Sequence, residues 1–254
     1  DLSVAPNADF YEYATGGWQK NNPLKPEYSR YGSFDILRDN NEKRINELFS
    51  EMTKMKAEPG SIEQKISDLY KMGLDSVRLN AEGAAPVKDA VGEILAIGDR
   101  AQLTGAIAGL HTAIANPFFS VGVQADLMNS DINALYISQS GLTMGDRDYY
   151  LDPENENIRT AYKEYLGKLF RLGGVPEADI EKAVAGVMNI ETKLAEKSWS
   201  NTELRDIPAQ YNPTAKAEFE KTYDAIDWPA YYKAMGIGDF DTIIVTTKSS
   251  IANA

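Results

Sequence analysis

Apolar residues recur three or four positions apart over most of this chain, a period that commits it to helices packed by one face. From Asp35 onward, Ile36, Leu37, Ile45, Leu48, Phe49, Met52 and Met55 follow that spacing with charged residues between them. Pro59-Gly60 stops the run. Ser61, with Gln64 three positions on, restarts a helix as a capping pair, and Ile62, Ile66, Leu69 and Tyr70 form its stripe. Asp75 or Ser76 opens a short helix, and Pro86 starts another with Val87, Ala90, Val91, Ile94 and Leu95 on one face. Small residues dominate Ala101–Ala115, which predicts a helix lying close against its neighbours. Further on, a helix is predicted from about Asn157 to Leu172, with Tyr162, Tyr165, Leu166, Leu169 and Phe170 inward and Gly173-Gly174 at its end. The longest follows Pro176 over Glu177–Lys197, with Ile180, Val184, Val187, Met188, Ile190 and Leu194 as its apolar positions. Thr202–Ile207, Thr214–Lys221 and Trp228–Met235 read as shorter helical pieces.

The period changes in only a few places. Phe118–Ala125 and Ala134–Gln139 are β-prone and flank the loop signal Met128-Asn129-Ser130-Asp131, so they read as a hairpin. Asp241–Thr247 reads as a last strand without an evident partner, which leaves the expectation that the chain stops mid-fold. Asp1–Pro26 carries Asn7, Gly16, Gly17, Asn21, Asn22, Pro23 and Pro26. It reads as an irregular arm whose Phe10, Tyr11, Tyr13 and Trp18 lie on a body. The expected fold class is mainly α: a multi-helix domain with a small antiparallel β-hairpin near 118–139.

Composition removes several kinds of chemistry. A net charge of −12 and no basic stripe argue against a nucleic-acid partner. The acidity serves solubility or makes a field that attracts basic peptides. No stretch reaches the roughly 20 apolar residues of a membrane span. The opening Asp1-Leu2-Ser3-Val4 has neither a basic start nor an apolar run, and reads as the start of a processed or trimmed product. There is no cysteine, so no disulfide framework and no thiolate metal site. His111 is the single histidine, set among small and apolar residues, and reads as a packed histidine rather than a ligand. One histidine cannot satisfy the two or three of a catalytic zinc, and no H-E-x-x-H, G-x-S-x-G, P-loop or calcium loop occurs. No metal ligand and no catalytic residue is therefore assigned to this chain.

Four ordered motifs carry a resemblance. Asp9-Phe10-Tyr11-Glu12-Tyr13-Ala14-Thr15-Gly16-Gly17-Trp18 is followed by Ser29-Arg30-Tyr31-Gly32-Ser33-Phe34-Asp35-Ile36-Leu37-Arg38-Asp39. Gly141-Leu142-Thr143-Met144-Gly145-Asp146-Arg147-Asp148-Tyr149-Tyr150-Leu151 comes next, then Tyr211-Asn212-Pro213 with Ile226-Asp227-Trp228. Together they resemble the amino-terminal portion of the neprilysin and endothelin-converting-enzyme family of zinc metallopeptidases. Animal members of that family carry cysteine where Thr15 stands, so the resemblance is to a bacterial, disulfide-free member.

The resemblance implies the amino-terminal part of an exported zinc metalloendopeptidase acting on small peptides. Its localisation would be extracytoplasmic: periplasmic, secreted or lipid-anchored. The implied cofactor is zinc, held by residues of the full-length enzyme beyond this chain and by none in it. Residues 1–40 would form an amino-terminal arm and primed-side substrate segment, and 41–254 a helical cap packed on the remaining catalytic region. Arg30 and Arg38 match arginines that hold the carboxy-terminal end of a bound peptide, and Phe34 matches a wall of the adjacent apolar subsite. A planar guanidinium suits that task, because it makes paired, charge-assisted bonds to a carboxylate. The residues by themselves also allow the two arginines simply to pair with Asp35, Asp39 or Glu42. The motif Asp146–Tyr150 reads as a structural network, with buried ion pairs in its Asp-Arg-Asp run and tyrosines bonding the backbone. Asp126 and Asp131 read as solvated carboxylates beside a loop. An alternative to the enzyme is a stand-alone helical peptide-binding module, and a cap without its second lobe would expose an apolar patch and self-associate.

Overall fold

The computed structural model describes every residue except Glu27, Ser29, Ile114, Asn253 and Ala254. The chain forms two compact units, Asp1–Ala81 and Glu82–Ala254.

The first unit is helical. α1 spans Phe10–Asn21, α2 Ser33–Met52 and α3 Ile62–Leu74, and α4 (Ser76–Glu82) begins at its end. The predicted irregular arm is thus a helix from Phe10. The Asp9 side chain accepts the Glu12 N–H at 2.9 Å, with Glu12 in the first turn and Lys20 in the last. A cap worth about 1 kcal/mol and favourable charges at both ends offset the helix-weakening Gly16-Gly17 pair. α2 starts behind Gly32, whose N–H donates to the Asp35 carboxylate at 2.9 Å. The capping pair read at Ser61 and Gln64 is present: the Ser61 hydroxyl accepts the Gln64 N–H at 3.2 Å, and the Gln64 carbonyl accepts the Gly60 N–H. α3 lies against α2, with Phe49 and Tyr70 edge to face at 5.6 Å between centroids.

The second unit is built on a four-stranded sheet of order β1-β2-β4-β3. β1 (Phe119–Ala125) and β2 (Asn133–Gln139) make the predicted hairpin, in register from Phe119 opposite Gln139 to Ala125 opposite Asn133. The strand read as partnerless is central: β4 (Thr242–Val245) runs parallel to β2 and antiparallel to β3 (Pro213–Ala215). Ile243, Ile244 and Val245 are all buried, as a strand covered on both faces requires. A parallel pair needs a crossover, and here the crossover is most of the unit: α7 (Asp148–Leu151), α8 (Glu156–Leu172), α9 (Glu177–Lys197), β3, α10 (Lys216–Thr222) and α11 (Trp228–Met235).

α5 (Ala85–Leu95) and α6 (Arg100–Thr112) precede the sheet, and α12 (Lys248–Ile251) follows it. The core gathers where α6 and α11 meet the sheet: Ile107, Phe119, Ile137, Phe219, Trp228, Tyr231 and Val245 are all buried. Trp228 packs against Phe219 and Phe119 with centroids 4.7 and 5.4 Å away. α9 buries Ile180, Glu191, Leu194 and Ala195, while Ile190, one of its apolar positions, is half exposed. Tyr165 and Leu169 of α8 are likewise exposed, and Tyr162 and Leu166 take the buried positions.

Candidate functional site

The three residues singled out for substrate binding all lie in the first unit, around the start of α2. Arg30 is exposed in the segment before the helix and makes no ion pair among the described residues. Ser29, its neighbour in the same motif, lies outside the described residues. Phe34 and Arg38 are four residues apart on α2, so they stand one turn from each other on one face. Phe34 is 86% exposed. The Arg38 side chain is 52% exposed, with Nη2 3.3 Å from Asp35 and Nε 3.9 Å from Glu42. The pairing with Asp35 and Glu42 weighed from the residues alone is therefore present for Arg38.

Asp39 has a different role. Its carboxylate accepts the Tyr28 hydroxyl at 2.6 Å and the Tyr31 hydroxyl at 3.2 Å. The bond from Tyr28, helped by that from Tyr31, holds the Asp39 carboxyl below the usual carboxylate range against a smaller opposing effect of burial. Tyr28 also lies under the Arg38 guanidinium, 5.4 Å from ring centroid to carbon, and its hydroxyl is what chiefly raises the Arg38 pKa. Lys25 sits 5.7 Å from the centroids of both tyrosines. Arg38 is thus steered by a tyrosine face and two acids while half of it stays open to solvent.

The Gly141–Leu151 motif builds a second, buried arrangement in the other unit. Gly141 has φ +89°, and a Cβ there would fall 2.7 Å from the Phe118 backbone nitrogen, so only glycine fits. Glu191 of α9 is buried and accepts three hydroxyls: Thr143 at 2.6 Å, Tyr150 at 2.7 Å and Tyr162 at 3.2 Å. Tyr150 also accepts the Met144 N–H at 3.0 Å, the expected bond between a motif tyrosine and the backbone. Burial first, and the Glu191 charge with it, pushes the Tyr150 phenol far up and that of Tyr162 up to about 12.

Among the described residues, Arg147 makes no ion pair with Asp146 or Asp148. The Arg147 guanidinium donates instead to the Ser198 carbonyl at 2.7 Å, where α9 ends and its carbonyls carry the negative end of the helix dipole. Asp146 caps the Asp148 N–H at 3.1 Å.

The remaining motifs tie the sheet to the helices. Asn212 and Val245 exchange backbone and side-chain bonds at 3.0 Å, and Asp227 caps α11 through the Ala230 N–H at 3.1 Å. Asp126, read as solvated, is buried, and accepts the N–H groups of Met128 and Asn129 at 2.8 and 3.0 Å and the Tyr211 hydroxyl at 3.0 Å. A hairpin loop folding back on itself needs that acceptor for its own backbone.

His111 is buried between α6, β1 and α11. Its Nδ1 is 2.6 Å from the Tyr231 hydroxyl, and its ring meets Phe119 edge-on at 4.9 Å. Burial lowers the imidazole pKa, and the nearby carbonyls of Pro117 and Phe119 only partly offset it. Its Nε2 is buried without a hydrogen-bond partner among the described residues, but a lone histidine does not make up the three protein ligands of a catalytic zinc. Among the described residues no three His, Asp or Glu side chains are grouped to hold a metal ion. No described helix is long and apolar enough to cross a membrane.

These two arrangements, an open arginine and phenylalanine face and a buried tyrosine–glutamate network, sit in a fold that known proteins share. The amino-terminal sequence model of peptidase family M13 matches residues 6–254, and this chain belongs to that family. Endothelin-converting enzyme 1 of Rattus norvegicus is 32% identical over 263 residues, which cover 98% of this chain and 34% of the rat protein. Endothelin-converting enzyme-like 1 of Mus musculus is 27% identical over 245 residues, covering 90% and 31%. The chain therefore spans about a third of the length of these curated relatives. The zinc metalloprotease Zmp1 of Mycobacterium tuberculosis, solved with an inhibitor, has the same fold at a TM-score of 0.90 and 24% identity, over 99% of this chain and 39% of that one. PepO of Lactobacillus rhamnosis aligns at a TM-score of 0.77 and 20% identity, over 98% and 40%.

Proposed function

We propose that this chain is the amino-terminal part of an extracytoplasmic bacterial zinc metalloendopeptidase that hydrolyses small peptides, and that Arg30, Phe34 and Arg38 bind the substrate. The observation that carries the binding role is the pairing on α2 of a phenylalanine 86% exposed with a half-open guanidinium one turn away. An apolar ring left in water gains when an apolar side chain covers it. A guanidinium with unused donors gains a paired, charge-assisted bond from a carboxylate. A peptide ending in an apolar residue with a free carboxylate offers both groups at that separation. Arg30, exposed and without an ion pair among the described residues, supplies a second cation from the preceding segment.

Phe34 and Arg38 thus orient the peptide's end, and the Tyr28 ring with Asp35 and Glu42 keeps the arginine from swinging freely. No bond-breaking step is assigned to these residues, because their donor set does not fit the zinc that the family implies. The metal chemistry belongs to polypeptide outside this chain. Residues 41–254, which include the Glu191 network and the sheet core, supply much of the helical cap that limits entry to short peptides.

The test is a fluorogenic peptide assay with added zinc on the 254-residue chain and on the full-length gene product. Chelator-sensitive cleavage by the full-length protein and none by the chain alone is the expected result. Enzyme-like turnover by the chain alone, or none by either, contradicts the assignment.

A further inference from the structure

α2 carries two carboxylates one turn apart, and both hold the chain that precedes the helix. Asp35 accepts the Gly32 N–H at 2.9 Å. Asp39, four residues on, accepts the Tyr31 hydroxyl at 3.2 Å and the Tyr28 hydroxyl at 2.6 Å. The Tyr28 bond has the length of a charge-assisted O–H···O⁻ bond, about 2.5–2.7 Å. The partners fall in reverse order, residue 32 at Asp35 and residues 31 and 28 at Asp39, so the segment's side chains reach back along the first turns of α2. The two tyrosine rings meet edge to face at 5.0 Å between centroids, and Tyr31 stacks on Trp18 of α1 at 6.4 Å. Arg30, which is exposed, stands between the two tyrosines in the chain. Arg38 directly precedes Asp39 and lies over the Tyr28 ring at 5.4 Å.

Arg38 makes its ion-pair contacts with Asp35 and Glu42, at 3.3 and 3.9 Å. Asp39 turns its lone pairs to the two phenols instead, and so leaves guanidinium donors that a direct pair would have consumed. A cation on a loose segment binds an anion at an entropic cost, and holding the segment beforehand lowers that cost. We propose that Asp39 is a positioning residue of the peptide-binding face: through the Tyr28 and Tyr31 hydroxyls it fixes Arg30 and Arg38 for a peptide's carboxy-terminal carboxylate, without touching the peptide itself. The proposal deepens the substrate-binding role of the two arginines and rests on it. Rings and hydroxyls have separable tasks here. A phenylalanine at either position keeps the ring that packs on Trp18 or lies under Arg38, and loses only the bond to Asp39.

The experiment is steady-state kinetics of the full-length enzyme on one short peptide, as free acid and as carboxy-terminal amide. The variants are Asp39→Ala, Tyr28→Phe with Tyr31→Phe, Arg30→Ala with Arg38→Ala, and Asp39→Ala added to that arginine pair. Denaturant midpoints are measured alongside, and the phenylalanine pair carries the test if Asp39→Ala disturbs the fold. Asp39→Ala and the phenylalanine pair are each expected to raise KM roughly three- to tenfold more for the acid than for the amide. Asp39→Ala is expected to add nothing once both arginines are gone, because it acts through them. Equal effects on acid and amide, an acid-selective effect of Asp39→Ala that the phenylalanine pair does not share, or a further acid-selective loss in the arginine-free protein would overturn the proposal. The arginine pair alone separates the two readings. If it weakens the acid selectively while Asp39→Ala and the phenylalanine pair do not, only the positioning role fails. If the arginine pair has no acid-selective effect, the substrate-binding reading fails and the positioning role falls with it.

Discussion

Glu191 is a carboxylate taken out of water, and three hydroxyls replace its hydration. Such a network is stable only when every member is satisfied. Tyr150→Phe removes one donor to Glu191 and the acceptor of the Met144 N–H. We expect a loss of about 1–3 kcal/mol, read as a lower denaturant midpoint with an unchanged slope; a loss below a few tenths would contradict the network. His111 gives a pH dependence. Its folded pKa is lowered by burial from an unfolded value of about 6.5, so stability is level above that pH and falls as the pH drops below it. In this chain no second histidine titrates there. Thermal midpoints between about pH 7 and pH 5 should decline in the native chain and flatten in His111→Gln; parallel curves would refute the assignment. For Arg30, Phe34 and Arg38 the proposed role comes from motif resemblance, since spacing alone offers none. Glu191 was missed because a search for apolar periodicity skips acids, although it stands on the α9 stripe four residues after Val187 and three before Leu194. A charged residue in register with an apolar face was the available signal. Asp126 carried a weaker one, since an acid before a turn is as often solvated as buried.

The helices of the second unit were legible because their periods are long and their ends are marked by Pro176, Gly173 and Asp227. α1 was not, because paired glycines and clustered aromatics masked its cap. Asp9 with Glu12 three positions on is the same kind of start signal that identified α3. Asp9→Ala should cost α1 about 1 kcal/mol, measured as roughly fivefold faster amide exchange in its first two turns. Unchanged exchange would mean that packing, not the cap, sets the start of the helix. β4 was legible as a strand and its place in the sheet was not. Four residues show a local preference, but the pairing with β2 spans a crossover of many elements, and nothing local encodes it. Burial of three consecutive apolar residues, Ile243 to Val245, is what marks the strand as central.

The whole chain joins a well-packed unit to one whose apolar surface is largely open. The first unit carries the residues assigned to the substrate, and the second carries the aromatic core. Isolated at high concentration, the 254-residue chain is expected to self-associate through the open α2 and α3 surface, more so as salt screens its charge. Light scattering that shows a strict monomer at both low and high salt would contradict that. The proposal that the α2 face recognises a peptide's carboxylate end can be tested directly. The decisive measurement is KM of the full-length enzyme for one short peptide as free acid and as carboxy-terminal amide, in the native protein and in Arg38→Ala. Arg38→Ala is expected to raise KM for the acid by roughly tenfold or more and to leave the amide nearly unchanged, because the lost interaction is a charge-assisted one. Equal effects on acid and amide, or none on either, would contradict it.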